Sequence, residues 1–288
     1  MMFLRGAPRT GSAAALAVVG AALLWSSGGL FIKIAPMPAL SVAFGRSLVT
    51  FAFYMAVLRP RLREARWTTA CAYAGMIITF VSATKMTTAA NAVFLQYTGP
   101  AYVLLLAPWL LKEKLRRIDG VCVMISLAGM CLFFVGKVEI GQMAGNLLAV
   151  LSGVFFAFTI LFLRRDAATG KGDAIPSTTL GNLVAAAVTL PFVVDSLPQM
   201  LAPRAALVLL ELGVMQMGLA YMLFTYGLKR VPAAPAGLIS MLEPVFNPVW
   251  VLLGTGERPG PWAIAGGAVV MAAVILRTVV VEWRPLRG

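Results

Sequence analysis

Ten stretches of some twenty mostly apolar residues follow one another along the chain, at 13–34, 38–58, 68–85, 89–111, 119–136, 145–163, 176–195, 205–227, 234–254 and 261–281. Crossing about 30 Å of hydrocarbon takes roughly 20 apolar residues per helix, because every backbone N–H and C=O has to be satisfied within the segment. The pattern therefore predicts an all-α membrane protein with ten transmembrane helices. Around 85–90 and 228–234 two helices are joined by very little polar chain, and almost nothing is left over for a soluble domain. Arg5 and Arg9 ahead of the first apolar run give the outline of a signal peptide. The run extends to Phe31-Ile32, longer than a typical signal core, and predicts a retained first helix.

A second pattern lies over the first. Lys85 and Lys229 are 144 positions apart, and at that offset KMTTAANAVFLQYTGP (85–100) falls on KRVPAAPAGLISMLEP (229–244). Ala89 and Ala90 meet Ala233 and Ala234, Pro100 meets Pro244, Phe80 meets Phe224, and Glu113 meets Glu257. Lysine, proline and glutamate are scarce here, so their gapless register points to an internal duplication. It divides the chain into two five-helix repeats, 1–142 and 143–288.

Composition agrees with a lipid environment: 60% of residues are hydrophobic, 12% are charged and mean hydropathy is +0.88. The formal charge of +13 is mainly a topology signal. With the N-terminus in the cytoplasm, seventeen lysines and arginines fall on that side, concentrated at Arg59–Arg66, Lys112–Arg117, Arg164-Arg165 and Lys229-Arg230. Five fall on the other: Lys33, Lys85, Lys137, Arg204 and Arg258. That bias places both termini inside. The basic residues are spread over many short loops, which suits anionic headgroups and not a nucleic-acid surface.

Five helices per repeat is an odd number, so the second copy enters the membrane from the opposite side. Lys85 and Lys229, and Glu113 and Glu257, then lie at opposite faces. Inverted repeats are characteristic of secondary transporters, with a substrate site near the midplane between the halves. If the halves exchange conformations, that one site faces each compartment in turn.

The half-repeat has small residues, Pro100 in the fourth helix, Glu113 at its end and a glycine-rich fifth helix; the second copy has Glu243-Pro244, Glu257 and Gly266-Gly267. In these features the chain resembles the EamA domain of the drug/metabolite transporter superfamily, over nearly its whole length. Within that superfamily it is most similar to YddG-type exporters of aromatic and other amino acids. The first half departs from the acidic-proline pattern, with Gly99-Pro100 where the second has Glu243-Pro244. The resemblance implies a ten-helix 5+5 plan and a monomeric exporter of the bacterial inner membrane. It also implies a cavity lined chiefly by helices 1, 3, 4, 6, 8 and 9.

An ionisable group inside the hydrocarbon is a functional suspect by default. Glu243, next to Pro244, is a candidate proton carrier or partner for a substrate ammonium; alternatively it steadies the kink a proline introduces. Arg46 lies some eight residues, or roughly 12 Å, from the outer end of its helix. It could bind a substrate carboxylate, or snorkel to the outer headgroups and serve structure alone. Glu211 is expected at the cavity mouth or in solvent. Asn91, Gln96, Tyr97, Tyr102, Gln216, Tyr221 and Asn247 are polar groups that need partners and so face the interior or water. Trp25, ahead of Ser26-Ser27-Gly28-Gly29, offers a stacking face beside a closely approached backbone. Gln96 and Tyr97 lie one turn before Pro100, where the repeat places Ser240 and Met241. Pro100 and Pro244 are candidate hinges, whereas the paired glycines are explained by close helix packing.

What is missing narrows the chemistry. The chain has no histidine, and Cys71, Cys122 and Cys131 lack CxxC spacing. No GxxxxGK[ST] sequence occurs, so no nucleotide drives it directly. No cofactor, metal or catalytic residue is expected. The leading reading is an exporter of amphipathic amino acids or related metabolites, by facilitated diffusion or proton exchange. The alternative is an integral membrane enzyme acting on lipid-linked substrates, for which no cluster of polar catalytic residues is visible.

Overall fold

A computed structural model describes residues 12–132, 135, 142–168, 174–255 and 260–282. Glu257, Lys137, Lys171, Arg258 and the terminal arginines lie outside them. All regular structure among the described residues is helical. The elements are α1 (Ser12–Trp25), α2 (Gly28–Ile34), α3 (Ala39–Val57), α4 (Trp67–Met86), α5 (Ala89–Gln96), α6 (Gly99–Leu111), α7 (Arg117–Leu132), α8 (Met143–Ala168) and α9 (Ala174–Thr189). They continue with α10 (Leu197–Met200), α11 (Pro203–Leu210), a π-helical segment (Glu211–Leu219), α12 (Ala220–Leu228), α13 (Ala233–Ser240), α14 (Leu242–Thr255) and α15 (Pro261–Glu282).

Among the described residues seven stretches are long and apolar enough to cross a membrane: Ala13–Ile34, Ala39–Val57, Asn91–Leu111, Met143–Ala168, Ala174–Phe192, Pro203–Leu228 and Pro261–Val280. The other three expected spans are helical as well, as α4, α7 and the α13–α14 pair. α7 has only 16 described residues, α4 carries several threonines and Lys85, and α13–α14 carries Glu243, Asn247 and three prolines.

Three of the expected continuous helices are broken, and the sequence explains where. Ser26 and Ser27 turn their hydroxyls back onto the carbonyls of Leu23 (2.6 Å) and Leu24 (2.9 Å), and Gly28-Gly29 follow, separating α1 from α2. Local bonds of this kind compete with the helical ladder. α5 ends at Tyr97 and α13 at Met241, residues 144 positions apart whose ψ angles are 9° and −4°. Pro100 and Pro244 then sit in the first turn of α6 and α14, where a missing N–H costs no helical bond. The expectation that these prolines bend the helix at their own position is therefore corrected: the break lies three residues earlier, and each proline sits in the first turn of the new helix.

α4 packs along α8, and α12 along α1. Both pairs run antiparallel. At the start of α4, Thr69 donates to Asp166 near the end of α8 (2.7 Å); past its end, Thr87 meets Asn146 near the start of α8 (2.9 Å). Likewise Gly227, late in α12, faces Ala14 and Val18, whereas Tyr221, early in α12, faces Trp25. α7 and α15 are antiparallel too: Gly129 lies against Gly266 and Val269, and Asp119 forms a buried ion pair with Arg277 (2.9 Å). α3 lies against both α9 and the π segment, α9 against α4, α5 against α8, and α13 against both α1 and α6.

Charge gathers at the two ends of this bundle. At one end the buried Asp166 carboxylate meets Arg66 (3.2 Å) and Arg165 (3.3 Å), and Glu113 pairs with Arg164 (2.7 Å). Glu113 also accepts the Ala233 amide at the start of α13 (2.9 Å), and Arg164 donates to the Leu228 carbonyl at the end of α12 (2.5 Å). At the other end Lys33 donates to the Thr84 and Thr87 carbonyls, and Lys85 to that of Ala35. Each lysine thus caps the C-terminus of the other's helix, where cations are favoured.

Candidate functional site

Midway between those ends the helices line a partly open cavity of about 30 Å³, room for roughly two water molecules. Its wall is built from Trp25 (α1), Arg46 (α3), Met76 and Phe80 (α4), Gln96 (α5), Phe156 (α8), Gln216 and Met217 (π segment), Tyr221 (α12) and Glu243 (α14). Six residues singled out from the sequence meet here: Trp25, Arg46, Gln96, Gln216, Tyr221 and Glu243.

The local structure explains how each is held. Glu243, 5% exposed, is the second residue of α14, so the break at Met241 carries its side chain inward. Tyr97, at the matching break, donates its phenol to Glu243 Oε2 at 2.5 Å, so the two interrupted helices meet through one hydrogen bond. Gln96 donates to Ser152 Oγ on α8 (2.7 Å). Gly153 alongside it leaves no room for a side chain, since a Cβ would stand 2.8 Å from the Gln96 carbonyl.

α3 and the π segment hold the other wall. A π turn leaves its carbonyls displaced from the α-helical ladder, and α3 supplies donors for them: Thr50 to the Gly213 carbonyl (2.8 Å) and Tyr54 to that of Gly218 (2.9 Å). Gly213 and Gly218 admit Val49 and Phe53 at distances no side chain would allow. This contact fixes Arg46 and Gln216 on facing helices. Trp25 meets Tyr221 and Phe224 in tilted contacts, each at 4.9 Å between ring centres, and meets Phe156 edge-on at 6.2 Å. Tyr73 meets Tyr221 edge-on at 4.7 Å.

Two expectations are corrected. Arg46 does not snorkel: it is 1% exposed, lines the cavity, and its Nε and Nη1 have no hydrogen-bond partner among the described residues. The strong contact between α3 and the π segment holds the side chain inside, on a helix that the resemblance did not place among the lining. Glu211 is half-buried and not free in solvent, because its Oε1 accepts from Ser27 Oγ at 2.7 Å and its Oε2 is buried.

The remaining candidates lie off the cavity. Asn91 is buried near the Lys33 end and donates to Thr87 Oγ1 (3.3 Å). Tyr102 is half-buried against the apolar core. Asn247 packs its amide against Gly29, filling the space a side chain there would need. Met76, Phe80, Phe156 and Met217 were missed. They are common apolar types in apolar helices, and only the fold distinguishes them from their neighbours.

The arrangement can hold a small polar head among a guanidinium, a carboxylate, two carboxamides and aromatic faces, with two flexible methionines to yield around a larger body.

The model of the EamA-like transporter family matches this chain twice, over residues 12–135 and 143–279. The uncharacterized transporter YxxF of Bacillus subtilis is 24% identical, over 93% of this chain and 90% of its own. An uncharacterized transporter of Archaeoglobus fulgidus is 25% identical, over 89% and 94%. A protein crystal structure shares the fold with a TM-score of 0.75 at 22% identity, covering 93% of this chain and 97% of its own.

Proposed function

The chain belongs to the EamA-like transporter family, and from that premise we propose a secondary transporter that exports amphipathic amino acids or related small metabolites by alternating access. It spans the inner membrane ten times, as two inverted five-helix halves with both termini in the cytoplasm. One observation carries the reading: a cavity with an arginine and a glutamate in its wall is lined by helices from both halves of the chain.

The inverted plan has separate support. The helix breaks at Tyr97 and Met241 and the bounds of α5 and α13 repeat at one offset, and the family model matches each half. Exchanging the halves turns the α4–α8 contact into the α12–α1 contact and leaves α7–α15 paired with itself. α7 and α15 are the equivalent fifth helices, and they run antiparallel, as a two-fold axis in the membrane plane requires. The basic clusters around Asp166 and Glu113 gather at the end assigned to the cytoplasm.

Relatives named as transporters speak against the enzyme reading. Counterflow of labelled amino acids in proteoliposomes decides between them. Export predicts accumulation of unmodified label above equilibrium; absence of label movement together with a modified lipid overturns it.

A further inference from the structure

The cavity wall presents polar atoms without protein partners. Nε and Nη1 of Arg46, Nε1 of Trp25 and Oε1 of Gln216 are all buried and unbonded among the described residues. A buried polar atom left unpaired is costly, and more so when charged, so four in one cavity mark a place meant to be filled. Neither nearby carboxylate serves Arg46. Glu243 takes the Tyr97 phenol and Glu211 takes the Ser27 hydroxyl, and neither lies within salt-bridge distance of the guanidinium.

The unmet demand has a chemical shape. Three of the four atoms are donors, two of them on a cation, and they call for an anion with more than one acceptor oxygen. The fourth is an acceptor, which together with the free oxygen of Glu243 calls for a donor, best a cation. A carboxylate next to an ammonium meets both demands with no net charge added. Resting on the transport reading above, we infer that Arg46 is the counter-ion of the substrate carboxylate. The site therefore selects intact amino-carboxylates over their carboxamides. The side chain of the substrate meets Met76 and Met217, whose flexible thioethers accept varied shapes, so selection acts on the head and not on the body.

The test uses leucine and phenylalanine, each paired with its carboxamide, on the purified full-length chain. Thermal unfolding is measured with each compound for the unaltered protein, R46Q and R46K, alongside counterflow in proteoliposomes. The unaltered protein should bind each acid at least about tenfold more tightly than its amide, the effect of one charge-assisted hydrogen bond. R46Q should bring that ratio near one, and R46K should retain part of it by keeping the charge. Equal binding of acid and amide by the unaltered protein overturns the assignment even if R46Q does not fold. So does an acid preference that survives in R46Q, or stabilisation by neither compound. Acid-selective stabilisation without flux overturns the transport reading and leaves Arg46 assigned. Equal flux of acid and amide does the reverse.

Discussion

The interrupted helices α5–α6 and α13–α14 share a backbone and differ in chemistry. Their breaks fall 144 residues apart, and a proline follows each by three residues. At the first break stand Gln96, Tyr97 and Gly99; at the second, Ser240, Met241 and Glu243. The phenol comes from one and the carboxylate from the other, and they meet in a single bond; the pair at the same offset is Met241 and Gly99. The two breaks thus have one form, and the polar side chains are divided between them.

The division can be attacked directly. The largest effect is expected from G99E, which restores the symmetric carboxylate. A Cβ at Gly99 would stand 2.9 Å from the Gly153 carbonyl and 3.1 Å from the Phe156 ring. The added charge also has to be buried, so a cost of several kcal/mol and loss of monodisperse protein in size-exclusion chromatography are expected. E243Q comes next. It keeps the size and the bond to Tyr97 but cannot exchange a proton. Counterflow should drop at least about tenfold, and the effect of an imposed pH gradient on flux should vanish while the protein remains folded.

Tyr97→Phe leaves the buried Glu243 oxygen unserved and should lower stability by about 1–3 kcal/mol in thermal unfolding. Met241→Leu, the matching change at the other break, should cost under about 1.5 kcal/mol. The smallest effects belong to P100A and P244A. Both prolines sit in first turns, where alanine is tolerated, so each variant should assemble normally and slow flux only a few-fold. Unchanged flux in both would remove the hinge role.

Much of this frame was legible in the sequence because scarce residues recorded it. Lysine and proline in register pointed to the two helix breaks that the structure shows 144 residues apart, and the apolar runs marked the helices. Glu243, Gln96 and Gln216 stood out because polar groups are rare in apolar runs. What the sequence could not carry was partnership. Nothing in the spacing of Tyr97 and Glu243, 146 residues apart, says that they touch. Arg46 was legible as a charge in a span, yet its depth along the helix was a poor guide to its direction, which is set by glycines on another helix. The π segment left no mark at all, since ELGVMQMGL reads as ordinary helix until Thr50 and Tyr54 are seen holding its carbonyls.

That wide coil between Glu211 and Leu219 sets the rotation at which the eighth apolar run presents its rings. In a regular helix each residue adds about 100° of rotation, and the coil resets that count before Tyr221 and Phe224 come round to meet Trp25. Losing a single residue there would still leave a stretch long enough to cross the bilayer, but it would swing both rings off their tryptophan. Over generations this stretch should accept changes of letter far more readily than changes of count.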